Sequence, residues 1–121
     1  MAKTVCVVDD SSSMRQLVRM TLSGAGYDIL EAVDGQDALE KLGTRRVNLI
    51  ISDVNMPRMD GISLVKALKQ NAMHRFTPVL MLTTESEDAK KREGQAAGAK
   101  AWIVKPFKPD QLLAAVQKLI M

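Results

Sequence analysis

The chain is poor in cysteine, histidine and aromatic residues. Its 121 residues include one cysteine, one histidine, one tryptophan, one tyrosine and two phenylalanines. A single cysteine excludes an internal disulfide framework, and Cys6 lies inside an apolar run, where we expect a buried and unreactive thiol. The lone histidine, His74, lies in a polar stretch over residues 71–75, and we expect its side chain to be solvated.

Long hydrophobic runs are also absent. No segment approaches the roughly 20 consecutive apolar residues of a membrane span. Residues 1–3 lead straight into a short apolar run, without the long hydrophobic region of a signal peptide. The length suits one domain with a core of its own. We therefore expect a cytoplasmic protein that forms a single domain over residues 1–121, with no output domain.

Positive charge is not concentrated in a nucleic-acid-binding stretch. The formal net charge is +3, but residues 1–60 carry seven basic and nine acidic side chains, whereas residues 61–121 carry ten and five. The basic residues are scattered, and the four aromatic residues do not interleave with them. We interpret the basic half as a surface that steers a protein partner, and we expect neither nucleic-acid nor membrane binding.

Apolar segments of two kinds alternate along the chain. Five short runs rich in β-branched residues predict strands, and amphipathic patterns between them predict helices. The predicted strands are residues 4–8, 27–32, 47–52, 78–83 and 100–104, and the predicted helices are residues 12–23, 35–43, 61–70, 86–97 and 109–120. This alternation indicates an α/β domain with a parallel sheet and helices on both faces.

Capping residues and apolar faces support these helices. The first is predicted to begin at the serines over residues 11–13 and to bury Leu17 among its apolar residues. The fourth is predicted to be capped by residues 86–88, with only Ala89, Ala96 and Ala97 as its apolar side. Because alanines bury little area and Gly94 lies inside it, we expect this helix to be the most weakly held.

Three aspartates follow two of the predicted strands. Asp9 and Asp10 follow the first strand, and Asp53 follows the third. The carboxyl ends of parallel strands line one crevice, which is where ligands bind in such sheets. Three carboxylates there repel one another by roughly 4 kcal/mol per pair at about 4 Å and an effective dielectric near 20. Hard oxygen ligands of this kind suit Mg²⁺.

The other strand ends add groups that bind anions. Thr83 ends the fourth predicted strand with a hydroxyl, and Lys105 follows the fifth with a cation. Such groups around a carboxylate that also holds a metal suggest a phosphoryl group attached to that carboxylate.

Four segments of the chain resemble the motifs of response-regulator receiver domains. They are Val8–Ser11, Asp53–Gly61, Thr83–Glu85 and Lys105–Phe107, each at the end of a predicted strand, and the resemblance extends over the whole length. It implies a flavodoxin-like, doubly wound fold: a five-stranded parallel sheet in the order 2-1-3-4-5 with five helices, arranged in three layers. Stand-alone chemotaxis regulators are the most similar members.

The resemblance implies a role for each matching residue. Asp53 would accept a phosphoryl group from a sensor histidine kinase. Mg²⁺ would be held by Asp10, Asp53 and the backbone carbonyl of Asn55, with Asp9 reaching it through water. Lys105 would pair with the phosphoryl oxygens, and the peptide bond that follows it would be cis.

The resemblance also implies a switch between two packings of the domain. The hydroxyl of Thr83 would move towards the phosphoryl group, Trp102 would turn inward behind it, and the fourth helix, fifth strand and fifth helix would change their outer surface. Two residues near this switch differ from the family pattern. A smaller residue is common at the position of Thr84, and most relatives carry tyrosine or phenylalanine at the position of Trp102. Trp102 therefore has two interpretations, a switch or a plug that fills a gap. Asn55 and Glu85 flank the phosphorylation site and would tune hydrolysis.

The functional hypothesis is a monomeric phosphorylation switch of a two-component system rather than an enzyme with an external substrate. Its expected partners are a histidine kinase and a target such as a flagellar motor switch component, with a phosphatase as an additional candidate. A phosphorelay shuttle to a histidine phosphotransfer protein is the first alternative. A metal-dependent phosphatase is the second, but it needs a general acid two residues after the nucleophile, and Asn55 is not one. Residues 90–92 are either a solvated basic face or a docking patch.

Overall fold

A computed structural model describes residues 2–120. Strands and helices alternate strictly along these residues. The strands are β1 (Thr4–Val8), β2 (Asp28–Ala32), β3 (Leu49–Ser52), β4 (Val79–Thr83) and β5 (Ala101–Val104), and the helices are α1 (Ser12–Ser23), α2 (Gly35–Leu42), α3 (Gly61–Lys69), α4 (Asp88–Ala97) and α5 (Pro109–Ile120). No boundary differs from its prediction by more than two residues, because the apolar periodicity of each segment is clear.

The strands form one parallel sheet in the order β2-β1-β3-β4-β5. This confirms the predicted flavodoxin-like order and the doubly wound arrangement. The central strands β1, β3 and β4 are almost entirely buried, as expected for strands that are covered on both faces.

Alternate side chains of each strand point to opposite faces of the sheet, so the core has two halves. On one face, Val7, Ile51 and Leu82 pack with Leu22 of α1 and Leu112 of α5. The other face is covered by α2, α3 and α4, whose residues in this half of the core include Ala38, Leu42, Leu64, Leu68 and Ala97. The result is the predicted three-layer sandwich.

Side-chain caps begin three helices. Ser11, Asp34 and Asp60 each accept a hydrogen bond from the backbone N–H three residues further on, at 3.3, 2.8 and 2.7 Å. The prediction for α4 was wrong in this respect. This helix begins at Asp88, and Glu87 at its N-cap makes no side-chain capping bond. An exposed loop after β4 takes up the two preceding residues.

The structure corrects three predictions of burial. His74 is buried rather than solvated, with 1% of its surface exposed. Leu17 is 46% exposed rather than buried with the rest of the α1 face. In α4, Ala89 and Ala96 are exposed, and the buried residue is Gly94. In each case the tertiary contact, not the composition of the neighbouring sequence, decides which side chain is covered.

Candidate functional site

The register of β1 and β3 places two aspartates side by side. Val8 pairs with Ser52, so the residues that follow them, Asp9 and Asp53, leave the sheet at the same level. The backbone N–H of Asp53 continues the ladder by donating to the carbonyl of Val8 at 2.9 Å. Parallel pairing thus brings together carboxylates that are 44 positions apart in the sequence.

Asp10 completes an acidic cluster with these two residues. One carboxylate oxygen from each of Asp9, Asp10 and Asp53 lies within 4.8 Å of the others. Asp9 is buried, Asp53 is half-buried and Asp10 is exposed. The cluster offers only hard oxygen donors and has an open side towards solvent, which fits Mg²⁺ with retained water ligands.

Lys105 lies against the acidic cluster. The register of β4 and β5 pairs Thr83 with Val104, so Lys105 leaves the sheet beside the end of β4. Its Nζ lies 2.7 Å from Oδ2 of Asp9 and 3.3 Å from Oδ2 of Asp53. Burial lowers the pKa of the lysine, but the hydrogen bond to Asp9 and the charge of Asp53 outweigh burial, and the net pKa is raised. Lys105 is therefore a fixed cation at this site.

The two inner carboxylates are already oriented by the backbone. Asp9 accepts the N–H of Ser11 on Oδ1 at 2.9 Å and the ammonium of Lys105 on Oδ2. Asp53 accepts the N–H of Val54 on Oδ1 at 2.7 Å. Oδ2 of Asp53 also lies 3.3 Å from Nζ of Lys105, so each oxygen of both carboxylates already has a partner. The carboxylate of Asp10 is exposed.

The β3–α3 loop follows Asp53 and is held close to it. The backbone N–H of Gly61 donates to the carbonyl of Val54 at 2.8 Å. A side chain at Gly61 would overlap the carbonyl oxygen of Asp53, so the loop closes this tightly only with glycine there. The side chain of Asn55 is exposed at the surface of the loop.

An ion pair that the sequence analysis missed ties this loop to α2. Arg58 donates from Nε and a terminal nitrogen to the two carboxylate oxygens of Asp34, at 2.9 and 3.1 Å. Its backbone adopts a left-handed conformation with φ of 63°. The hydrogen bonds from Arg58 and the N–H of Asp37 hold the pKa of Asp34 below its usual value. No sequence pattern identified Asp34 and Arg58, which are 24 residues apart, as partners.

Thr83, Glu85 and Trp102 are linked by two hydrogen bonds. The backbone N–H of Glu85 donates to Oγ1 of Thr83 at 3.1 Å, and Nε1 of Trp102 donates to the carbonyl of Glu85 at 2.9 Å. Thr83 is buried at the end of β4, whereas Trp102 is half-buried on the neighbouring strand β5, where it pairs with Met81. The backbone of Glu85, through its N–H on one side and its carbonyl on the other, therefore connects Thr83 to the indole.

The Lys105–Pro106 peptide bond is cis, as the resemblance implied. A family model described as "Response regulator receiver domain" matches residues 5–117 of the chain. The chain belongs to this family. It is a receiver domain of the two-component type, a phosphorylatable signalling domain rather than a conventional enzyme, and the family implies a histidine kinase as phosphodonor and a downstream target.

Chemotaxis proteins are among the relatives of this receiver domain. The chain is 44% identical over 108 residues to "Chemotaxis protein CheY1" of Helicobacter pylori, which covers 88% of this chain and 87% of that protein. The solved structure of CheY4 from Vibrio cholerae superposes with a TM-score of 0.93 at 50% identity, covering 98% of this chain and 99% of the other. These matches agree with the family and the fold, and both of these relatives are named as chemotaxis proteins.

Transcriptional regulators are also among the relatives. The chain is 38% identical over 120 residues to "Alkaline phosphatase synthesis transcriptional regulatory protein PhoP" of Bacillus subtilis. It covers 99% of this chain but only 49% of that protein, so the chain spans about half the length of this relative. None of the helices over residues 2–120 has the length and apolar composition needed to span a membrane.

Proposed function

We propose that the chain is a phosphorylation switch in which Asp53 accepts a phosphoryl group from the phosphohistidine of a sensor kinase. The observation that carries this proposal is the position of Asp53. Its carboxylate lies in the acidic cluster with Asp9 and Asp10, and its Oδ2 is 3.3 Å from the ammonium of Lys105. A nucleophile that is flanked by both oxygen ligands and a cation suits transfer of a charged phosphoryl group.

The transfer exchanges one bond to phosphorus for another. A carboxylate oxygen of Asp53 forms the new P–O bond, and the P–N bond breaks with its electron pair going to the imidazole nitrogen of the kinase histidine. Lys105 neutralises the phosphoryl oxygens and remains protonated because its pKa is raised. The hydroxyl of Thr83 donates to one of these oxygens once it leaves the N–H of Glu85.

Asp10, one oxygen of Asp53 and the backbone carbonyl of Asn55 would hold Mg²⁺ directly, and Asp9 would contact it through water. The acidic cluster fits the ion because it supplies oxygen donors within 4.8 Å of one another. When bound, Mg²⁺ offsets the repulsion between the carboxylates and the incoming phosphoryl group.

Output in this proposal passes through the surface formed by α4, β5 and α5. Movement of Thr83 towards the phosphoryl group releases the N–H of Glu85, whose carbonyl holds the indole of Trp102. The packing of β5 against α4 then changes, and a partner that prefers the new surface shifts the equilibrium between the two packings. The exposed Asn55 and the half-buried Glu85 leave room for an attacking water, which favours a short-lived phosphoryl state.

The partner we favour belongs to chemotaxis, such as a component of the flagellar motor switch. The similarity to CheY1 and CheY4 supports this choice, since both are named as chemotaxis proteins. A dedicated phosphatase is a further candidate partner. In this proposal the domain acts as a monomer in the cytoplasm.

A phosphorelay shuttle is a second candidate, and one observation favours it. Leu17 and Met20 on α1 are 46% and 64% exposed, and α1 begins beside the acidic cluster. An apolar strip there suits docking of a helical histidine phosphotransfer protein. Such a shuttle would bind the phosphotransfer protein whether or not Asp53 is phosphorylated, whereas a motor-type switch would bind its target only when Asp53 is phosphorylated. A pull-down with each form separates the two candidates.

The experiment that tests the nucleophile measures incorporation of label from a radioactive small-molecule phosphodonor in the presence of Mg²⁺. We expect Asp53→Asn to abolish incorporation. Asp60→Asn is the matched control, because Asp60 lies in the same loop outside the cluster and asparagine still caps α3. Incorporation by Asp53→Asn at the wild-type rate would reject the assignment. Multiple turnover of a phosphomonoester by the wild type would instead support a phosphatase.

A further inference from the structure

Gly94 is an unexpected residue in the middle of α4. An interior glycine costs a helix about 1 kcal/mol relative to alanine, and this helix has no side-chain cap. Gly94 is nevertheless the only buried residue of α4. Its backbone is not in the left-handed region, so its conformation does not require glycine. The reason for glycine has to be the space beside it.

That space is filled by Trp102. A Cβ atom built on Gly94 would lie 2.7, 3.4 and 3.8 Å from Cζ3, Cε3 and Cη2 of the indole, and these are the three nearest atoms. All three belong to the six-membered ring. The first distance is shorter than real Cβ contacts allow, so alanine at this position requires the indole or the helix to move.

The indole is held at both ends. Its Nε1 donates to the carbonyl of Glu85 at 2.9 Å, while the edge of its six-membered ring rests on the helix backbone at Gly94. The ring therefore joins the loop after β4 to the middle of α4. Most of α4 carries exposed side chains, and this contact is one of those that join the helix to the rest of the domain.

We propose that Gly94 is a positioning residue for Trp102. The missing side chain forms a socket for the six-membered ring, and the size of residue 94 sets the equilibrium between the indole packed in the socket and the indole displaced from it. This inference rests on the proposed function in one respect: Trp102 relays phosphorylation of Asp53 to α4. It also explains why the tryptophan and the interior glycine occur in one sequence, since each accommodates the other.

The first test is a double-mutant cycle by urea unfolding, which needs no phosphorylation. At an ordinary interior helix position Gly→Ala stabilises the protein. We expect Gly94→Ala instead to lower the urea midpoint in the wild-type background and to raise it in the Trp102→Phe background, whose smaller ring leaves the socket empty. A rise in both backgrounds would overturn the proposal.

Folding failure of the single variant is covered by the same cycle. If Gly94→Ala does not fold but Gly94→Ala with Trp102→Phe does, as judged by circular dichroism, the socket is supported. If neither variant folds, the smaller ring of Trp102→Phe has not made room for the alanine at position 94, and the proposal is rejected. Gln95→Ala is the matched control, because Gln95 is exposed on the same helix.

The second test reads the position of the indole through Trp102 emission. We expect Gly94→Ala to shift the emission to longer wavelength and to reduce the change on adding beryllofluoride and Mg²⁺ at least threefold. Label from a small phosphodonor should still enter Asp53 within twofold of the wild-type rate, and Gln95→Ala should leave both signals unchanged. Wild-type emission and response in Gly94→Ala would overturn the proposal.

The two proposals fail in different ways. If label does not enter the wild-type protein, the proposed phosphorylation switch is rejected. The double-mutant cycle by urea unfolding and the emission without beryllofluoride still decide whether Gly94 provides a socket for Trp102. If label enters normally but Gly94→Ala behaves like Gln95→Ala, the socket is rejected and the phosphorylation switch stands.

Discussion

His74 shows how one residue can depart from what its neighbours suggest. Its neighbours Met73 and Arg75 are half-buried and exposed, yet its ring is buried and its Nε2 is 2.9 Å from the carbonyl of Gly43 at the end of α2. A carbonyl only accepts, so Nε2 carries the proton. Nδ1 is buried without a partner among residues 2–120. The side chain thus connects the loop after α3 to the end of α2.

We expect His74→Ala to lower the free energy of unfolding by about 2–3 kcal/mol, because it removes a buried ring and the hydrogen bond to Gly43. Urea unfolding measures this change. Arg75→Ala is the matched control, since Arg75 is the exposed neighbour, and it should change stability by less than about 0.5 kcal/mol. Equal effects of the two substitutions would contradict the buried position of His74. Phosphorylation should be normal in both variants.

At the scale of elements, the β3–α3 loop is the part on which the site depends most. Three contacts hold it: the approach of Gly61 to Asp53, the ion pair between Arg58 and Asp34, and the bond from the N–H of Gly35 to the carbonyl of Met59 at 3.2 Å. Each joins the loop to a strand end or to the start of α2. The loop is therefore positioned by its surroundings rather than by its own hydrogen bonds alone.

We expect Gly61→Ala to destabilise the protein by about 2–3 kcal/mol, because the new methyl group meets backbone rather than a flexible side chain. It should also slow labelling of Asp53 by a small phosphodonor, since the loop that carries Asn55 has to move. Ser63→Ala on the exposed face of α3 is the control and should do neither. Unfolding and labelling within error of the wild type would show that the loop has room for a side chain.

For the whole molecule, the main electrostatic feature is the gathering of three carboxylates at one edge of the sheet. Lys105 neutralises part of this charge at Asp9 and Asp53, while Asp10 has an exposed carboxylate beside them. A divalent cation that binds there stabilises the folded state by mass action, because the unfolded chain does not assemble the site.

We expect Mg²⁺ to raise the free energy of unfolding of the wild type by about 2.7 kcal/mol when it is present at 100 times its Kd. Asp10→Asn should lose most of this gain, yet be at least as stable as the wild type in a chelator, because it removes a repulsive charge. Thermal or urea unfolding with and without Mg²⁺ measures both effects. Asp28→Asn, at an exposed aspartate of β2, should respond to Mg²⁺ like the wild type. A metal site at this cluster would be contradicted if Asp10→Asn were not at least as stable as the wild type in a chelator and less stable than the wild type in Mg²⁺.

Much of the fold was predictable because its signals are local. Short runs rich in β-branched residues, caps such as the serines over residues 11–13 and amphipathic helical patterns identified all ten elements within two residues. The residues of the acidic cluster and Lys105 were also predictable, because they directly follow strands and parallel strands end at one edge. The pair formed by Arg58 and Asp34 was not, since its two members share no local pattern.

The sequence by itself determined the order of strands and helices and the set of charged residues at the strand ends, because periodicity and strand polarity are properties of neighbouring residues. Only the tertiary structure decided that His74 is buried, that Leu17 is exposed and that the six-membered ring of Trp102 rests on Gly94. Those outcomes depend on which distant surfaces meet, and the space available where two elements pack is a property of both of them together.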